Sequence, residues 1–564
     1  MNKQKYILVL LSVLLLIGVG TAACGFDWEY FYGSFVYGSN SQANSKIIFS
    51  KETGFYEDEF YLRIYAPSDE IFYTLDGSDP SAGSLKYEEP ILIQDASFNE
   101  NKYSMRTDVS AGFVAKEDEY AAPDYLIDKC TVLKVAYYDE NGVRSAVEER
   151  VYFVDFEEKA GYDDVNIISI TSNPENLFSE DQGIYVLGDT YKNAIDGVNK
   201  EETDWCLWPA NYTNGGRYWE REANVTVFDE TGTRVLFQKA GIRIQGGASR
   251  GLNPKSFNIY ARDEYGDNRF RYDFWGTGYY PKRMTLSAGG NDNRGKMIDR
   301  LGSELTAECN FATMHYEPYV LFLNGEYWGF YYLTEKYDDH YIEQVYGVDD
   351  DNVIMIKAGE IEVGEPEDLN VYLEMCNFME TADMTIDDNY RYACELMDMQ
   401  SLIDYFAAEI YMARLIDWPT SNYALWRSKG TGNQYYEDGK WRWMLFDLNT
   451  ASMHEDSVEH DTLARVIRKS PMFKNLWTNE TFRDDFSTRI LEMSETIFAE
   501  SLIVGKVDEY VKFMFEPVRK HHERFFGRTF EGKYPTAESI KNFALFRAEY
   551  IPDMLAANMP DGAK

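Results

Sequence analysis

The sequence is poor in cysteine and histidine, with six residues of each in a chain of 564. It contains neither a CxxC pair nor a cysteine and histidine cluster with zinc-ligand spacing, which disfavours a disulfide framework and a structural zinc site. So few histidines also give little support to a hydrolase built around a histidine base.

Positive charge is scarce as well, since 55 lysines and arginines face 95 aspartates and glutamates, for a net charge of -40. A nucleic-acid binder needs a basic face, so this class is disfavoured, and so is adhesion to an acidic membrane surface. A basic protein substrate would be attracted, although an acidic surface that only maintains solubility has the same composition. The length and the 45% hydrophobic content predict two or three domains with ample cores.

A long hydrophobic run lies at the N-terminus, where "ILVLLSVLLLIGVG" follows Lys3 and Lys5 and ends at "TAAC". This pattern is typical of an export signal. The thiol of Cys24 after two alanines resembles a bacterial lipobox, so residues 1–24 are interpreted as a signal with lipidation at Cys24. Cleavage near Ala23 and an uncleaved anchor are the alternatives, and all three predict a folded part outside the cytoplasm, either secreted or on the cell surface.

Residues 45–158 are predicted to form an all-β unit. The stretches "EFYLRIYAP", "EIFYTLDGS" and "TVLKVAYYDENGVRSAVEERVYFV" alternate apolar and polar residues between turn signals such as Asp76-Gly77. A β-sandwich of immunoglobulin-like size is expected. Its acids Asp76 and Asp79 either cap a turn or bind a cation.

Further along, strands and helices mix, beginning with a glycine-rich hairpin. Two predicted strands, 240–245 and 256–261, flank a loop that contains Gly246 and Gly247. Glycines let backbone amides approach a ligand closely, and such amides can hold phosphate. A glycine-rich turn without a ligand gives the same pattern.

Lys255 lies at the start of the second of these strands, just before residue 256, where its ammonium would reach phosphates held by the loop. The next predicted helix, "RGKMIDRLGSELTAEC", places Glu304 on its apolar side, so an ion pair between Lys255 and Glu304 is predicted. Two alternatives stay open. In the first, Glu304 is a boundary residue whose aliphatic stem is buried and whose carboxylate reaches water. In the second, Arg243 and Arg250 bind the phosphates.

A hairpin and a long helix follow. The segment "MHYEPYVLFLNGEYWGFYYLTEKYDD" predicts a turn at Asn324-Gly325 and a second strand that ends near Glu335. The segment "DMQSLIDYFAAEIYMARLID" has apolar residues at helical spacing, and Pro419 is expected to end this helix. The chain from about residue 470 is predicted to be mainly helical.

Three polar residues come after that helix. Asp417 and Asn422 are separated by four residues, and Asp447 follows "GKWRWMLF" on the strand face of Trp441 and Trp443. Singly, they are typical of a helix end, a turn and a strand end. Together with the glycine loop they follow the order of parts in a protein kinase. There a lysine contacts phosphates, an acid orients the acceptor hydroxyl, and an amide and a second acid hold magnesium.

At "GIRIQGGASRGLNPKSFNIYA", "YVLFLNGEYWGFYYLTEKYD", "IDWPTSNYALWR" and "WRWMLFDLN" the chain resembles the spore coat protein H family of atypical protein kinases. At "YTLDGSDPS" it resembles the β-sandwich modules at the C-terminal ends of chitobiases and hexosaminidases. The resemblance implies an α+β fold, in which a bilobal kinase-like domain at 164–540 follows the immunoglobulin-like β-sandwich. It also implies transfer of the γ-phosphate of ATP to serine or threonine of a protein, with Mg²⁺ or Mn²⁺.

By resemblance, Asp417 orients the acceptor, while Asn422 and Asp447 hold the metal ion. The implied nucleotide site comprises Lys255, Arg243, Gly246, Gly247, Glu304 and Glu335. The sequence departs from the pattern at Leu415 and Ile416, which replace the His-Arg of kinases, and at Asn449, where many members of the family have a second aspartate. The last departure would alter metal affinity.

A second function is kept open. The sandwich and the 16% aromatic content would also suit a non-catalytic cell-surface or carbohydrate-binding protein on a kinase-like scaffold. A glycosidase with paired carboxylates is disfavoured, because no pair of acids stands out from the many in the chain. The expected partners are a basic, serine-containing protein and carbohydrate or cell wall at the sandwich, with a membrane contact only through the N-terminal anchor.

Overall fold

The computed structural model describes residues 47–116, 120–163, 165–292, 295–430, 432, 434–449, 452–527 and 534–560. The predicted signal segment and Cys24 lie outside these ranges. No helix in the described part of the chain is long and apolar enough to cross a membrane. The five described cysteines are free thiols.

The N-terminal part, 47–154, is β-rich, as the sequence predicts. Its elements are β1 (Ile48–Phe49), β2 (Gly54–Tyr56), β3 (Phe60–Leu62), β4 (Ile64–Tyr65), β5 (Ile71–Thr74), β6 (Leu85–Lys86), β7 (Ile91–Ile93), α1 (Ala111–Ala115), β8 (Thr131–Tyr137) and β9 (Glu148–Val154). The strands form sheets with the orders β2-β9-β8-β5-β6, β3-β7 and β1-β4. The carboxylate of Asp76 accepts hydrogen bonds from Ser78, so this acid caps a turn.

A closed barrel follows, filled by aliphatic and aromatic side chains. The elements of this part are β10 (Asn166–Thr171), α2 (Pro174–Phe178), α3 (Gly188–Ala194), β11 (Arg221–Phe228), β12 (Arg234–Gln245), β13 (Ser256–Tyr260), β14 (Arg283–Ser287), α4 (Ile298–Leu305), β15 (Glu317–Leu323) and β16 (Glu326–Glu335). The strand order in the barrel is β10-β11-β12-β13-β14-β16-β15, with parallel pairing of β10 with β15. The predicted glycine-loop strands and the hairpin at Asn324-Gly325 are confirmed.

The remaining chain packs helices around a four-stranded sheet. Its elements are α5 (Asp339–Tyr346), β17 (Val353–Lys357), β18 (Glu360–Val363), α6 (Leu369–Thr381), α7 (Asp387–Leu396), α8 (Met399–Tyr411), β19 (Ala424–Ser428), β20 (Arg442–Met444), α9 (Thr462–Lys469), α10 (Pro471–Leu476), α11 (Glu480–Glu495), α12 (Glu500–Phe526) and α13 (Pro535–Ala557). The order of strands in the sheet is β18-β17-β19-β20. The predicted long helix is shorter than expected. It ends at Tyr411, well before Pro419, because Ala413 takes a φ of 55°.

The β-rich part and the barrel share one core. Phe153 of β9 stacks on Phe55 at 4.5 Å between ring centres and meets Phe228 and Phe322 of the barrel edge-on at 5.5 and 5.0 Å. Burial of such rings is the main favourable term in packing. The β-rich part is therefore docked firmly on the barrel.

Glu326, at the start of β16, stabilises the contact between the β-rich part and the barrel. Its carboxylate accepts hydrogen bonds from the backbone N–H groups of Lys102, Tyr103 and Ser104 at 2.6, 3.2 and 2.7 Å. Glu326→Ala is expected to lower the free energy of unfolding by about 3 kcal/mol, because two buried backbone donors and a third, partly buried one lose a charged acceptor. Denaturant unfolding would measure this. Glu360→Ala, at an exposed strand position, is the matched control, and an equal change in both variants would contradict the role of Glu326.

Candidate active site

The loop between α8 and β19 holds Asp417 and Asn422 in left-handed backbone conformations, with φ values of 65° and 52°. The carbonyl oxygen of Asp417 accepts hydrogen bonds from the backbone N–H and hydroxyl of Ser421 at 2.7 and 2.9 Å. Trp418 is fully buried and donates from its indole to the Tyr405 hydroxyl at 3.1 Å. Positive φ at residues other than glycine persists only where the surroundings enforce it, so this loop has a fixed shape.

Asp447 lies beyond the end of β20 and has a φ of 60°. The sequence predicts that it continues the strand face of Trp441 and Trp443, but the strand ends at Met444. Because Ala424 pairs with Met444 in register, Asn422 and Asp447 both lie beyond the same end of the β19 and β20 pair. The structure therefore brings these two predicted site residues to one end of the sheet.

Arg414 connects the two loops. Its guanidinium donates to the carbonyl oxygens of Asp447 and Phe446 at 2.5 and 3.3 Å and to Glu409 Oε1 at 2.8 Å. The side chains of Arg414 and Glu409 have no exposed surface. This residue, three positions before Asp417, fixes the predicted catalytic loop against the strand end that bears Asp447. Sequence reasoning missed it, since nothing local distinguishes it from other arginines.

Asp299 of α4 is a second acid beside Asp447. Its carboxylate accepts from the Leu448 N–H at 2.6 Å and from Asn449 Nδ2 at 3.0 Å, and the same Nδ2 donates to Asp447 Oδ1 at 2.8 Å. Burial, followed by the negative charge of Asp447, raises the pKa of Asp299 to about 7. Asn449, the predicted departure from the family, thus bridges two carboxylates. Asp299, Asp447 and Asn449 are called the Asp447 cluster below.

A glycine pair that the sequence analysis did not single out faces this cluster. Gly289 and Gly290 have φ values of 91° and 53°, and a Cβ on Gly290 would lie 3.2 Å from the side chain of Asn449. The backbone N–H of Asn291 donates to Asn449 Oδ1 at 3.3 Å. A Cβ at this distance would force the Asn449 side chain to shift, so glycine favours the close approach of the backbone to the Asp447 cluster.

Lys255 lies elsewhere than expected. Its ammonium donates to the carbonyl oxygens of Arg250 and Leu252 at 2.6 and 2.9 Å and lies 3.7 Å from the centre of the Tyr212 ring. The residue is fully buried. Its charge supports the backbone of the predicted glycine loop from within the fold.

The predicted ion pair between Lys255 and Glu304 is wrong. The Glu304 carboxylate instead accepts from Arg300 Nε at 2.7 Å and from Lys506 Nζ of α12 at 2.9 Å. The sequence pattern misleads here because Lys255 comes just before β13, two residues from Phe257, which belongs to the buried core of the barrel.

The other predicted nucleotide ligands have protein partners. Arg243 lies over the Tyr260 ring at 4.1 Å and forms an ion pair with Glu220 at 3.4 Å. Arg250 donates to the carbonyl oxygens of Thr213 and Asn214. Gly246 has a φ of 118° at the end of β12, followed by Gly247. None of the contacts described for these residues joins them to the Asp447 cluster.

Lys357, at the end of β17, is a cation near the Asp447 cluster. It pairs in register with Ala424, two residues from Asn422, and its ammonium lies 4.6 Å from the centre of the Phe446 ring. Loss of hydration at the ammonium lowers the pKa of Lys357, and the positive charge of the nearby Lys336 lowers it further. The residue as a whole is nevertheless exposed. Attraction to Asp447 opposes that shift. Sequence reasoning also missed this lysine.

Glu335, predicted at the nucleotide connection, is buried at the end of β16 and binds His315. Its carboxylate accepts from the backbone N–H of His315 at 2.7 Å and from Nδ1 at 2.5 Å. The hydrogen bond to Glu335 raises the pKa of His315 above its ordinary value of 6.5.

This pair predicts a pH dependence of stability. Below pH 6.5 the imidazole is charged in both the folded and unfolded states, so the stabilisation is fully present. It is lost as the pH rises through the elevated pKa of the folded state. Because the His315 side chain is 55% exposed, the loss should stay below about 1 kcal/mol. Urea unfolding between pH 5 and pH 9 of wild type and His315→Gln would measure it, and equal slopes for both would contradict the prediction.

Comparison with known protein families gives two matches. A family model described as CotH kinase protein matches residues 242–551, more than half of the chain, and includes Asp299, Asp417, Asn422 and Asp447. A model described as Fn3 associated matches residues 62–152, within the β-rich part. A comparison with curated proteins gives no match.

Proposed function

Because the chain belongs to the CotH kinase protein family, we propose that it is an exported atypical protein kinase that transfers the γ-phosphate of ATP to serine or threonine of a protein. In this proposal the barrel is one lobe and the helices with their four-stranded sheet are the other. The observation that carries it is the attachment of the Asp417 loop to the Asp447 strand end through Arg414. A phosphotransfer site needs that fixed geometry between the acceptor and the phosphate.

The donor atoms suit a hard divalent cation. Asp447 and Asn422 would hold Mg²⁺ or Mn²⁺ with carboxylate and amide oxygens, and Asp299 adds a second carboxylate beside Asp447. Burial, followed by repulsion from Asp447, raises the pKa of Asp299, and a bound cation would offset that repulsion. When bound, the ion would neutralise phosphate charge.

The protein residues would have separate roles. Asp417 would accept a hydrogen bond from the acceptor hydroxyl and orient it. Lys357 would pair with the phosphates, in place of Lys255, whose ammonium is hydrogen-bonded to the loop backbone. The backbone at Gly289 and Gly290 would approach the phosphates closely.

A basic, serine-containing segment is the proposed acceptor. An acidic groove of about 580 Å³ lies between the segment after Asp447 and α13, and Phe546 at its wall is 51% exposed. Carboxylates at this density attract lysine and arginine. The acids that line the groove are Glu455, Asp456, Glu459, Glu549 and Asp553.

The direct test is transfer of label from γ-labelled ATP by residues 25–564, with Mg²⁺ or Mn²⁺, to matched serine peptides of opposite charge. We expect labelling of the basic peptide, with a preference that weakens at high salt. Equal labelling of both peptides at low salt would contradict the basic substrate. No labelling together with no metal-dependent nucleotide binding would favour the alternative, a non-catalytic carbohydrate-binding surface protein.

Export and lipidation are part of the same proposal. Cys24→Ala is expected to move the protein from the membrane fraction to the soluble fraction of the producing cell, because the acyl chains that hold it would be missing. Fractionation with an antibody against the folded part would measure this. Unchanged membrane association would favour an uncleaved anchor.

A further inference from the structure

Three ligand groups for a metal ion lie where the chain passes from the barrel to the helices, outside the Asp447 cluster. His340 and Glu343 are three residues apart on α5, which follows β16 after a short connection, and Asp350 lies in the turn before β17. One atom of each residue, an imidazole nitrogen or a carboxylate oxygen, lies within 4.8 Å of the other two. These three residues are called the His340 cluster below.

The imidazole of His340 lies between two carboxylates. Its Nδ1 is 2.9 Å from Asp350 Oδ2, and its Nε2 is 3.8 Å from Asp339 Oδ1. A histidine that binds a metal through one ring nitrogen is commonly oriented by a carboxylate at the other, and Asp339 is placed for that role. The side chain of His340 is 11% exposed, while Glu343 and Asp350 are partly exposed. The imidazole is therefore fixed by packing, and an ion can still reach it from the carboxylate side.

Acidic side chains outnumber basic ones around the His340 cluster. Arg269 Nη2 lies 3.5 Å from Glu343 Oε2, an oxygen that is buried and has no hydrogen-bond partner in the described part of the chain. A surplus of carboxylates attracts a cation. In all, three basic side chains, Arg269, Lys282 and Arg283, lie beside six acids, Asp338, Asp339, Glu343, Asp349, Asp350 and Asp351.

One cation already lies among these groups, the ammonium of Lys282. It is 3.2 Å from His340 Nδ1 and 3.9 Å from Asp350 Oδ2. Because lysine has a flexible stem and a strongly hydrated ammonium, it can move into water when an ion of higher charge arrives. Ligand atoms on one metal ion are at most about 4.2 Å apart, since each bond is about 2.1 Å long. Small side-chain rotations would therefore complete the site.

We propose that the His340 cluster binds one divalent transition-metal ion, of which Zn²⁺ is the representative. An imidazole ligand favours Zn²⁺ over Mg²⁺ and Ca²⁺, which prefer oxygen ligands alone. The bound ion holds α5 to the turn before β17, at the junction of the barrel and the helices. Cysteine and histidine spacing does not reveal this site, because two of its three ligands are carboxylates. This binding does not depend on phosphate transfer, so the two proposals can fail separately.

The test is isothermal titration calorimetry of residues 25–564 with Zn²⁺, beside Mg²⁺ and Ca²⁺. All proteins carry Asp447→Asn, so that cations bound at the Asp447 cluster are not counted. We expect saturable binding of one Zn²⁺ per chain and weaker binding of Mg²⁺ and Ca²⁺. Glu343→Gln should weaken Zn²⁺ binding by about tenfold or more, because a neutral amide of the same shape replaces a carboxylate ligand. His340→Gln should have an effect of the same size.

Lys282→Gln should have the opposite effect. It should tighten Zn²⁺ binding by about three- to tenfold, because an ammonium that competes for the same ligands is removed. Both Lys282 and Glu343 are partly exposed, so these variants are expected to fold. His454→Gln is the matched control, since His454 Nδ1 lies 3.5 Å from Asp456 and belongs to no group of three metal-ligand residues among those described.

The His454→Gln variant should bind Zn²⁺ as the parent protein does. The proposal is overturned if Zn²⁺ does not bind saturably, or if Mg²⁺ or Ca²⁺ binds as tightly as Zn²⁺. It is also overturned if the Zn²⁺ affinity is the same in Glu343→Gln and Lys282→Gln as in the parent protein. Lys282 would then be the permanent cation of the cluster.

Discussion

Asp447→Asn should reduce phosphate transfer by about 10³-fold or more, because a metal ligand that stabilises phosphate charge contributes about 4 kcal/mol to the barrier. Asparagine tolerates the φ of 60° at this position, so the backbone is expected to keep its conformation. The variant should also lose metal-dependent nucleotide binding. Calorimetric titration with ATP and Mn²⁺, beside a transfer assay, would measure both effects.

Asp155→Asn is the matched control for this experiment. Asp155 also follows a strand, has a φ of 58°, and is exposed at the end of β9, outside the Asp447 cluster. It should retain full transfer. If phosphate transfer and metal-dependent nucleotide binding persist in Asp447→Asn, the assignment of Asp447 as a metal ligand is contradicted.

Arg414→Met should lower the free energy of unfolding by about 3–5 kcal/mol, because it leaves the Glu409 carboxylate buried without its partner. The Asp447 carbonyl would lose its guanidinium donor at the same time. The denaturant midpoint and the transfer rate would be measured on the same protein. Arg391→Met is the control, since Arg391 pairs with Asp388 at 2.8 Å between side chains that are 70% and 81% exposed. Its effect should stay within about 0.5 kcal/mol.

A double variant separates stability from positioning. Glu409→Leu with Arg414→Met removes both charges, so much of the lost stability should return. Transfer should remain low, because the Asp417 loop is no longer tied to the strand end at Asp447. Full recovery of transfer in the double variant would show that Arg414 acts on stability alone.

Local sequence patterns predicted much of the fold and the order of the site residues. Alternating residues and turn signals placed β12, β13 and the hairpin at Asn324-Gly325. The position of Asp417 and Asn422 before a pair of strands could also be recognised from the sequence, because helix ends, turns and strands depend on neighbouring residues. The family resemblance is confirmed by the match over residues 242–551.

The partners predicted from the sequence for charged side chains were wrong. Lys255 and Glu304 were predicted to pair, whereas each has a different set of contacts. The pattern of a strand gives two faces, and it does not say which face turns to a ligand and which to a barrel core.

The sequence by itself determined the β-rich N-terminal part, the mixed strands and helices that follow, and the order of Asp417, Asn422 and Asp447. Only the tertiary structure decided that Asp299, separated by 149 positions from Leu448, lies beside Asp447, and that Arg414 joins the two loops. The physical reason is that periodicity and turn chemistry act over a few residues. The position of a buried charge depends instead on which distant groups can satisfy it once the core has packed.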